Sequence, residues 1–372
     1  MLKHSNTVSE SKKDGFASDF SSTRDDTQSV NNEPELAHKI KQRFSHLEKL
    51  IGNTPMLAVH LRYKGELRVV YAKAEYYNLT GSIKDRMALN ILREAYVSHA
   101  LKPADTIVEA TSGNAGIAMA ALGKALGHRV KIFMPDWMSV ERQNLLRSFG
   151  ADLHLVSRQG GGFLGAIDQA NDYATQYQNV FLTHQFSNQN NAMAHRIGTG
   201  PEIIQQLLQI NKTPDAFVAG VGTGGTIMGV SFAFSQLCPE AKCFPMQPAE
   251  SPTLSTGYKV GSHRIQGVSD DFIPDIVNLS TLDEIISVND GDGIIMSQML
   301  ARELGLGVGI SSGANLLAAL KVQESLDGNS TVATIFCDDN KKYLSTDLTQ
   351  QEPIKSGYLT PDIELLGYEA LN

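Results

Sequence analysis

The 372-residue chain is short of several things, and each shortage removes a class of protein. It has only three cysteines, Cys238, Cys243 and Cys337, with no CxxC pair and no metal-ligand spacing. That leaves at most a Cys238–Cys243 bridge, and it suits a reducing, cytoplasmic setting better than a disulfide scaffold or a metal centre. No apolar run approaches the ~20 residues that span a bilayer, so no membrane partner is expected. Positive charge is in deficit: 32 Lys and Arg stand against 40 Asp and Glu, a net charge of −8 that argues against nucleic acid as a partner. What the chain does have is length, enough for a large core and two lobes.

Residues 1–35 differ in kind. They are rich in Ser, Asp, Asn and Thr and nearly free of aliphatic residues, which predicts a disordered tail. They lack a signal peptide's apolar core, and their acidic residues do not suit a transit peptide. From Leu36 a short helix is expected, then the turn and strand of IGNTPML and the strand RVVYAKA. Thereafter short apolar strands (DTIVEA, VKIFMP, ADLHLVS, NVFLTHQF, DAFVAGVG, AKCFPMQPAE, TVATIFCDD) alternate with ten- to fifteen-residue helical patterns. This rhythm predicts parallel βαβ units and an α/β fold with helices on both faces of a mostly parallel sheet. Ligands of such sheets sit beyond the carboxyl ends of the strands, where strand-to-helix turns cluster.

Three of those turns carry chemistry. In NLTGSIKDRM, Lys84 stands between a Gly-Ser turn and a helix marked by Met87, Ala88, Ile91, Leu92 and Ala95. A lysine at the positive end of a helix dipole, with Arg86 adding positive field, is badly placed for ion pairing and better placed as a nucleophile. Taken alone, a solvated lysine after a turn is the simpler reading. The turn GVGTGGT (220–226) is an anion nest, in which glycines admit close backbone approach and a helix N-terminus adds positive potential. It has no Walker lysine, but it satisfies GxGxxG and is followed by Glu250, so a nicotinamide dinucleotide site is an open alternative. TSGNAG (111–116) offers hydroxyls, an amide and helix-terminal N–H groups without charge, donors suited to a carboxylate; an ordinary helix cap is the alternative.

A lysine, a phosphate nest and a carboxylate cradle together fit pyridoxal phosphate (PLP) and an amino-acid substrate. The chain resembles the cysteine synthase and cystathionine β-synthase family of fold-type II PLP enzymes. The likeness runs from about Leu47 to Thr346 through IGNTPML, NLTGSIKDR, EATSGNAG, GVGTGGT, IQGVSDDFIP, GISSGA and DDNKKYLST, in family order. The resemblance implies two lobes, each a mostly parallel twisted sheet flanked by helices. Residues 36–87 and 191–350 would form the larger, PLP-binding lobe, 88–190 a smaller mobile substrate lobe, and 351–372 a C-terminal tail. Lys84 would be the Schiff-base lysine and the proton carrier at Cα. Asn114 would bond the ring hydroxyl, and Gly222, Thr223, Gly224, Gly225 and Thr226 the phosphate. Ser311, with Ser312 beside it, would face the pyridine side. Thr111, Ser112, Gly113, Ala115 and Gln185 would hold the substrate carboxylate. The family pattern also implies a homodimer and no metal.

Departures from the pattern concern acidic residues. Asp339 stands where the family has a serine facing the pyridine nitrogen, and a carboxylate there would favour the protonated ring; the alternative is that Asp339 turns outward to a lysine. Asp270 and Asp271 replace small residues beside the substrate, where they would add general-base capacity next to Cβ; a solvated loop is the alternative. A third departure, Leu79 in place of the usual proline, concerns loop stiffness alone. The expected activity is PLP-dependent replacement or elimination at Cβ. By family default this is cysteine synthesis from O-acetylserine and sulfide. The alternative is a lyase that converts L-cysteine to L-serine and hydrogen sulfide through Asp270 and Asp271. A nicotinamide-dependent dehydrogenase is the reading from another class, and a non-catalytic relative a further one.

Overall fold

The computed structural model describes residues 33–268 and 271–372. The predicted tail thus lies outside the described residues except for its last three, where the helix Glu33–Leu47 begins. The chain divides after Lys41 into two units; the first, where described, is the opening of that helix, and the second, Gln42–Asn372, carries both sheets.

The strands are β1 (Met56–Tyr63), β2 (Glu66–Ala74), β3 (Thr106–Ala110), β4 (Arg129–Pro135), β5 (Asp152–Val156), β6 (Val180–Leu182), β7 (Ala216–Gly220), β8 (Lys242–Pro248), β9 (Ile286–Val288), β10 (Val332–Phe336) and β11 (Ile363–Leu371). They form a seven-stranded sheet, β11-β1-β2-β10-β7-β8-β9, and a four-stranded sheet, β5-β4-β3-β6. All pairings are parallel except β1 with β2 and with β11. The β1–β2 hairpin turns on Lys64 and Gly65, both at positive φ (51° and 86°), as a two-residue turn matched to strand twist requires. Central strands β7 and β10 are buried on both faces, so they read as continuous apolar runs. Helix Ile310–Leu326 packs against them and is buried along almost its whole length.

The structure departs from the sequence reading in a few places. Residues 351–372 are not merely a tail, because β11 joins the edge of the large sheet through a full antiparallel register with β1. Helix Gln189–Ala194 and the π-turn His195–Thr199 arise from a polar stretch without apolar periodicity. Asn188 starts that helix by accepting from the Asn190 N–H at 3.0 Å. The strand expected over NVFLTHQF stops at Leu182, two residues before His184 takes a left-handed φ of 53°. GISSGA, expected from the sequence as a turn before a helix starting at Asn315, is instead the first turn of helix Ile310–Leu326. The carboxyl ends of β3, β7 and β10 lead into residues 111–116, 221–226 and 337–343, which set the site.

Candidate active site

Lys84 is the first residue of helix Lys84–Val97, and the turn before it is fixed from several sides. The Ile83 N–H donates to Cys337 O at 2.9 Å, and Ser82 pairs with Asp338 as an isolated bridge. Gly81 has φ 77°, and a Cβ there would lie 2.6 Å from an Asp339 carboxylate oxygen. Asp85 is fully buried, accepts from the Thr80 N–H (2.7 Å) and Oγ1 (2.5 Å), and has its carboxyl pushed up to about 6 by burial. Arg86, two residues on, is bonded to carboxylates. Its guanidinium donates to both Glu75 (2.6 and 2.8 Å) and Glu202 (2.7 and 2.7 Å), and Glu202 also pairs with buried Lys73 at 2.8 Å. The cluster balances two cations against two carboxylates, and Lys84 is left to line a cleft.

The opposite wall of that cleft is the turn after β3. Thr111, Ser112, Asn114 and Ala115 line it. Thr111 Oγ1 accepts from the Gly113 N–H at 3.0 Å, and Gln185 donates from Nε2 to Ala110 O at 2.7 Å, which holds its side chain at the cleft. Asn114 donates from Nδ2 to Asp338 Oδ2 (2.7 Å), which also receives the Tyr343 hydroxyl at 2.5 Å. The other end of that amide, Asn114 Oδ1, is buried with no protein partner. Behind the turn, Glu109 is buried between the Ala110 N–H (2.8 Å) and the Thr183 hydroxyl, and burial pushes its carboxyl up to about 7.

The third wall follows β7. Gly222, Thr223 and Thr226 line the cleft, whereas Gly224 and Gly225 are packed against Val277 and Asn191, whose side chains a Cβ would overlap. Gly222 lies against the Gly267 carbonyl in the same way. Asn191 also donates to Thr223 Oγ1 at 2.9 Å, so the loop is held from behind. The first N–H groups of helix Gly225–Leu237 have no intrahelical acceptor. His195, near Thr226, is buried, and desolvation with Arg86 and Lys84 nearby holds it neutral, well below its usual range.

Of the residues singled out from sequence, Lys84, Thr111, Ser112, Asn114, Ala115, Gln185, Gly222, Thr223, Thr226 and Ser311 line this one cleft, and Gly113, Gly224 and Gly225 sit in its turns. Asp339 is not brought in. Its carboxylate caps the turn Asn340–Tyr343 through the Lys341 N–H (3.0 Å) and lies 3.5 Å from Lys342 Nζ, the outward arrangement. The buried neighbour Asp338 faces inward instead, toward Asn114. Asp270 lies outside the described residues. Asp271 pairs with Lys259 at 2.5 Å in an adjoining pocket that shares Ser112, Phe163 and residues 266–268 with the cleft. Glu250, which a dinucleotide would need for its ribose, accepts instead from the Asp290 N–H and Asn289 Nδ2. Sequence reasoning missed Arg142, Gln266, Cys337 and Tyr343 on the cleft wall. For Arg142 a signal existed: it stands four residues before buried Leu146, on the inward face of helix Val140–Ser148. Lys84 and Arg142 are the only charged residues among the described lining.

Residues 47–338 match the family model described as pyridoxal-phosphate dependent enzyme. The chain belongs to that family. A probable cysteine synthase of Bacillus subtilis (strain 168) is 40% identical to this PLP-dependent enzyme over 299 residues, covering 80% of this chain and 96% of the relative. The crystal structure of a hydrogen sulfide-producing enzyme from Fusobacterium nucleatum is 53% identical, with a TM-score of 0.86, covering 88% of this chain and 97% of that one. An aspartate-to-asparagine variant of the hydrogen sulfide-producing enzyme has been solved with an α-aminoacrylate intermediate, again at 53% identity and a TM-score of 0.86. The residues present fit the cofactor. A buried acceptor without a partner (Asn114 Oδ1) suits a ring hydroxyl, helix-terminal N–H groups without intrahelical acceptors suit a phosphate, and a lysine lines the same cleft. No helix among the described residues is long and apolar enough to cross a membrane, and all three cysteines are free.

Proposed function

We propose that the enzyme acts at Cβ of a small amino acid and releases hydrogen sulfide from L-cysteine, with water replacing the thiol to give L-serine. The observation that carries this reading is the joining of Lys84, the uncharged cradle of residues 111–115 and the nest of residues 222–226 in one cleft, whose lining residues Gln266, Gly267 and Val268 are followed in sequence by Ser269-Asp270-Asp271. The 53% identity to a hydrogen sulfide-producing enzyme supports the same direction.

When bound, PLP supplies an aldehyde that condenses with amines and a ring that withdraws electrons from Cα. In this proposal Lys84 holds the cofactor through Nζ and then moves the Cα proton. Asn114 takes the ring hydroxyl on its free Oδ1, Ser311 faces the pyridine side, and Gly222, Thr223, Gly224, Gly225 and Thr226 hold the phosphate. Thr111, Ser112, Gly113 and Ala115, with Gln185, orient the substrate carboxylate. Asp270, two residues beyond the cleft-lining Val268, takes the proton of the attacking water. Asp271, already engaged by Lys259, supports it from the adjoining pocket. Asp339 has no part at the ring. We assign residues 88–190, which carry the four-stranded sheet, to the mobile substrate lobe, and the rest of the described chain from residue 36, β11 included, to the cofactor lobe. A homodimer in the cytoplasm is part of the same proposal; free cysteines suit that compartment.

Cysteine synthesis from O-acetylserine and sulfide is the second reading, favoured by a 39% identical cysteine synthase of Staphylococcus aureus. One preparation separates the two. Sulfide and L-serine formed from L-cysteine, faster than L-cysteine forms from O-acetylserine and sulfide, is the expected result. The reverse order overturns the lyase direction, and unchanged sulfide release by Asp270→Ala overturns the role given to that residue.

A further inference from the structure

We infer that Arg142 is a substrate-binding residue: its guanidinium is the charged donor that completes the carboxylate cradle and makes the cleft prefer an α-amino acid over the corresponding amine. This rests on the proposal that the cleft takes an amino acid, and it adds a residue that no motif of the chain marks.

Four observations carry it. Arg142 is 2% exposed, a degree of burial that arginine rarely reaches without a carboxylate partner, yet it makes no ion pair with any described residue. Its Nε is buried with no hydrogen-bond partner. The guanidinium is held in place by two residues that also line the cleft: Gln266 Oε1 accepts from Nη1, and the group lies over the Tyr343 ring, 4.4 Å from its centre. It also lies directly against the cradle, since a Cβ on Gly113 would stand 2.7 Å from Nε.

A buried, unpaired cation with an open donor is costly to maintain, and an anion arriving beside it recovers that cost. The choice of anion follows from position. The phosphate nest of residues 222–226 has its own donors on another wall, whereas the turn of residues 111–116 has hydroxyls and amides but no charge. A planar guanidinium matches a carboxylate in shape and supplies the charge-assisted bond that the turn lacks. The cleft's described lining contains no acidic residue to compete for it.

The test uses the PLP-loaded full chain and reads ligand affinity from the cofactor's absorbance, with L-serine against ethanolamine and L-cysteine against cysteamine. These pairs differ only in the carboxylate. In Arg142→Gln the affinity for both amino acids should fall by about 10- to 100-fold while that for both amines stays unchanged, which is the loss expected for one charged donor. A second variant, Gln266→Glu, leaves Arg142 in place but gives it a carboxylate partner, and should produce a weaker loss of the same selective kind. Equal losses for amino acids and amines, or none, overturn the proposal, as does a wild-type cleft that does not distinguish the members of each pair. Failure of the lyase reading shows separately, as absence of sulfide release from L-cysteine by a wild-type enzyme that still discriminates the pairs.

Discussion

Two charged regions lie on either side of the start of helix Lys84–Val97, and they are built on opposite plans. Below it, Lys73, Glu75, Arg86 and Glu202 are buried together, and each has an opposite charge within hydrogen-bond reach. Above it, the cleft holds Lys84 and Arg142 with no carboxylate among its described lining, and leaves Asn114 Oδ1 and Arg142 Nε unpartnered. Both regions are built from buried polar groups, but only the second has unfilled bonding capacity. Residues one or two positions apart share out the two roles: Lys84 faces the cleft and Arg86 the cluster, Asp338 faces Asn114 and Asp339 caps a turn. Of these two regions, the one with a complete set of protein partners is a closed charge cluster, and the one with an incomplete set is a cleft that can take a ligand.

The comparison can be broken most forcefully from the paired side. Glu75→Gln leaves Glu202 as the single carboxylate shared by Arg86 and Lys73, with one buried positive charge uncompensated, and should cost about 3–5 kcal/mol of unfolding free energy, measured by denaturant titration of the loaded enzyme. A loss below ~1 kcal/mol would mean that the four charges do not depend on one another for their burial.

The next test contrasts two glutamates. Glu202 loses solvation, but hydrogen bonds and charge from Arg86 and Lys73 outweigh that and hold its carboxyl down to about 2. Its contribution to stability is therefore present above pH ~4.5 and lost as pH falls toward 2. Glu109 has no cationic partner, and burial pushes it up to about 7. The native state then keeps a proton that the unfolded chain releases, so this contribution is complete below pH ~4.5 and lost as pH rises through 7. A shift of this size corresponds to about 3 kcal/mol. Glu109→Gln should flatten the fall in stability between pH 5 and 8, and Glu202→Gln the fall between pH 4.5 and 2. An unchanged profile in either variant contradicts the corresponding assignment.

Smaller effects follow. Tyr343→Phe removes one of the two donors to buried Asp338 and the hydroxyl next to Arg142, and should cost about 1–3 kcal/mol. Because Asp338 holds Asn114, a change in the cofactor's absorption should accompany the loss. Asp271→Ala breaks an ion pair whose two side chains are 28% and 48% exposed, and its effect on stability should stay within ~1 kcal/mol. A larger drop would mean that the Lys259–Asp271 pair is structural.

Much of this was legible in the sequence for a physical reason. Strand-to-helix turns of an α/β sheet must carry glycines, caps and small polar residues, so residues 81–84, 111–116 and 220–226 could be read without coordinates. The fold followed from apolar strands alternating with helical periods, and failed where tertiary contacts and not periodicity decide. Helix Gln189–Ala194 is polar, and β11 exists because β1 offers it an edge. Side-chain direction was the other gap. Composition marks an acidic Asp338-Asp339 pair, but only the packing of Gly81, Lys342 and Asn114 determines which carboxylate turns inward. Arg142 escaped notice because a helix's inward face is normally apolar and a lone arginine on it looks like a break in the pattern.

The central claim is that Lys84, and not one of the paired lysines, carries the cofactor. Reduction of the loaded enzyme with borohydride, followed by peptide mass analysis, tests it directly. The expected result is loss of the yellow colour and a reduced pyridoxyl phosphate adduct on the peptide containing Lys84, with neither colour nor adduct in Lys84→Ala. An adduct on Lys73 or Lys342, or a wild-type chain that is colourless when saturated with PLP, would contradict it.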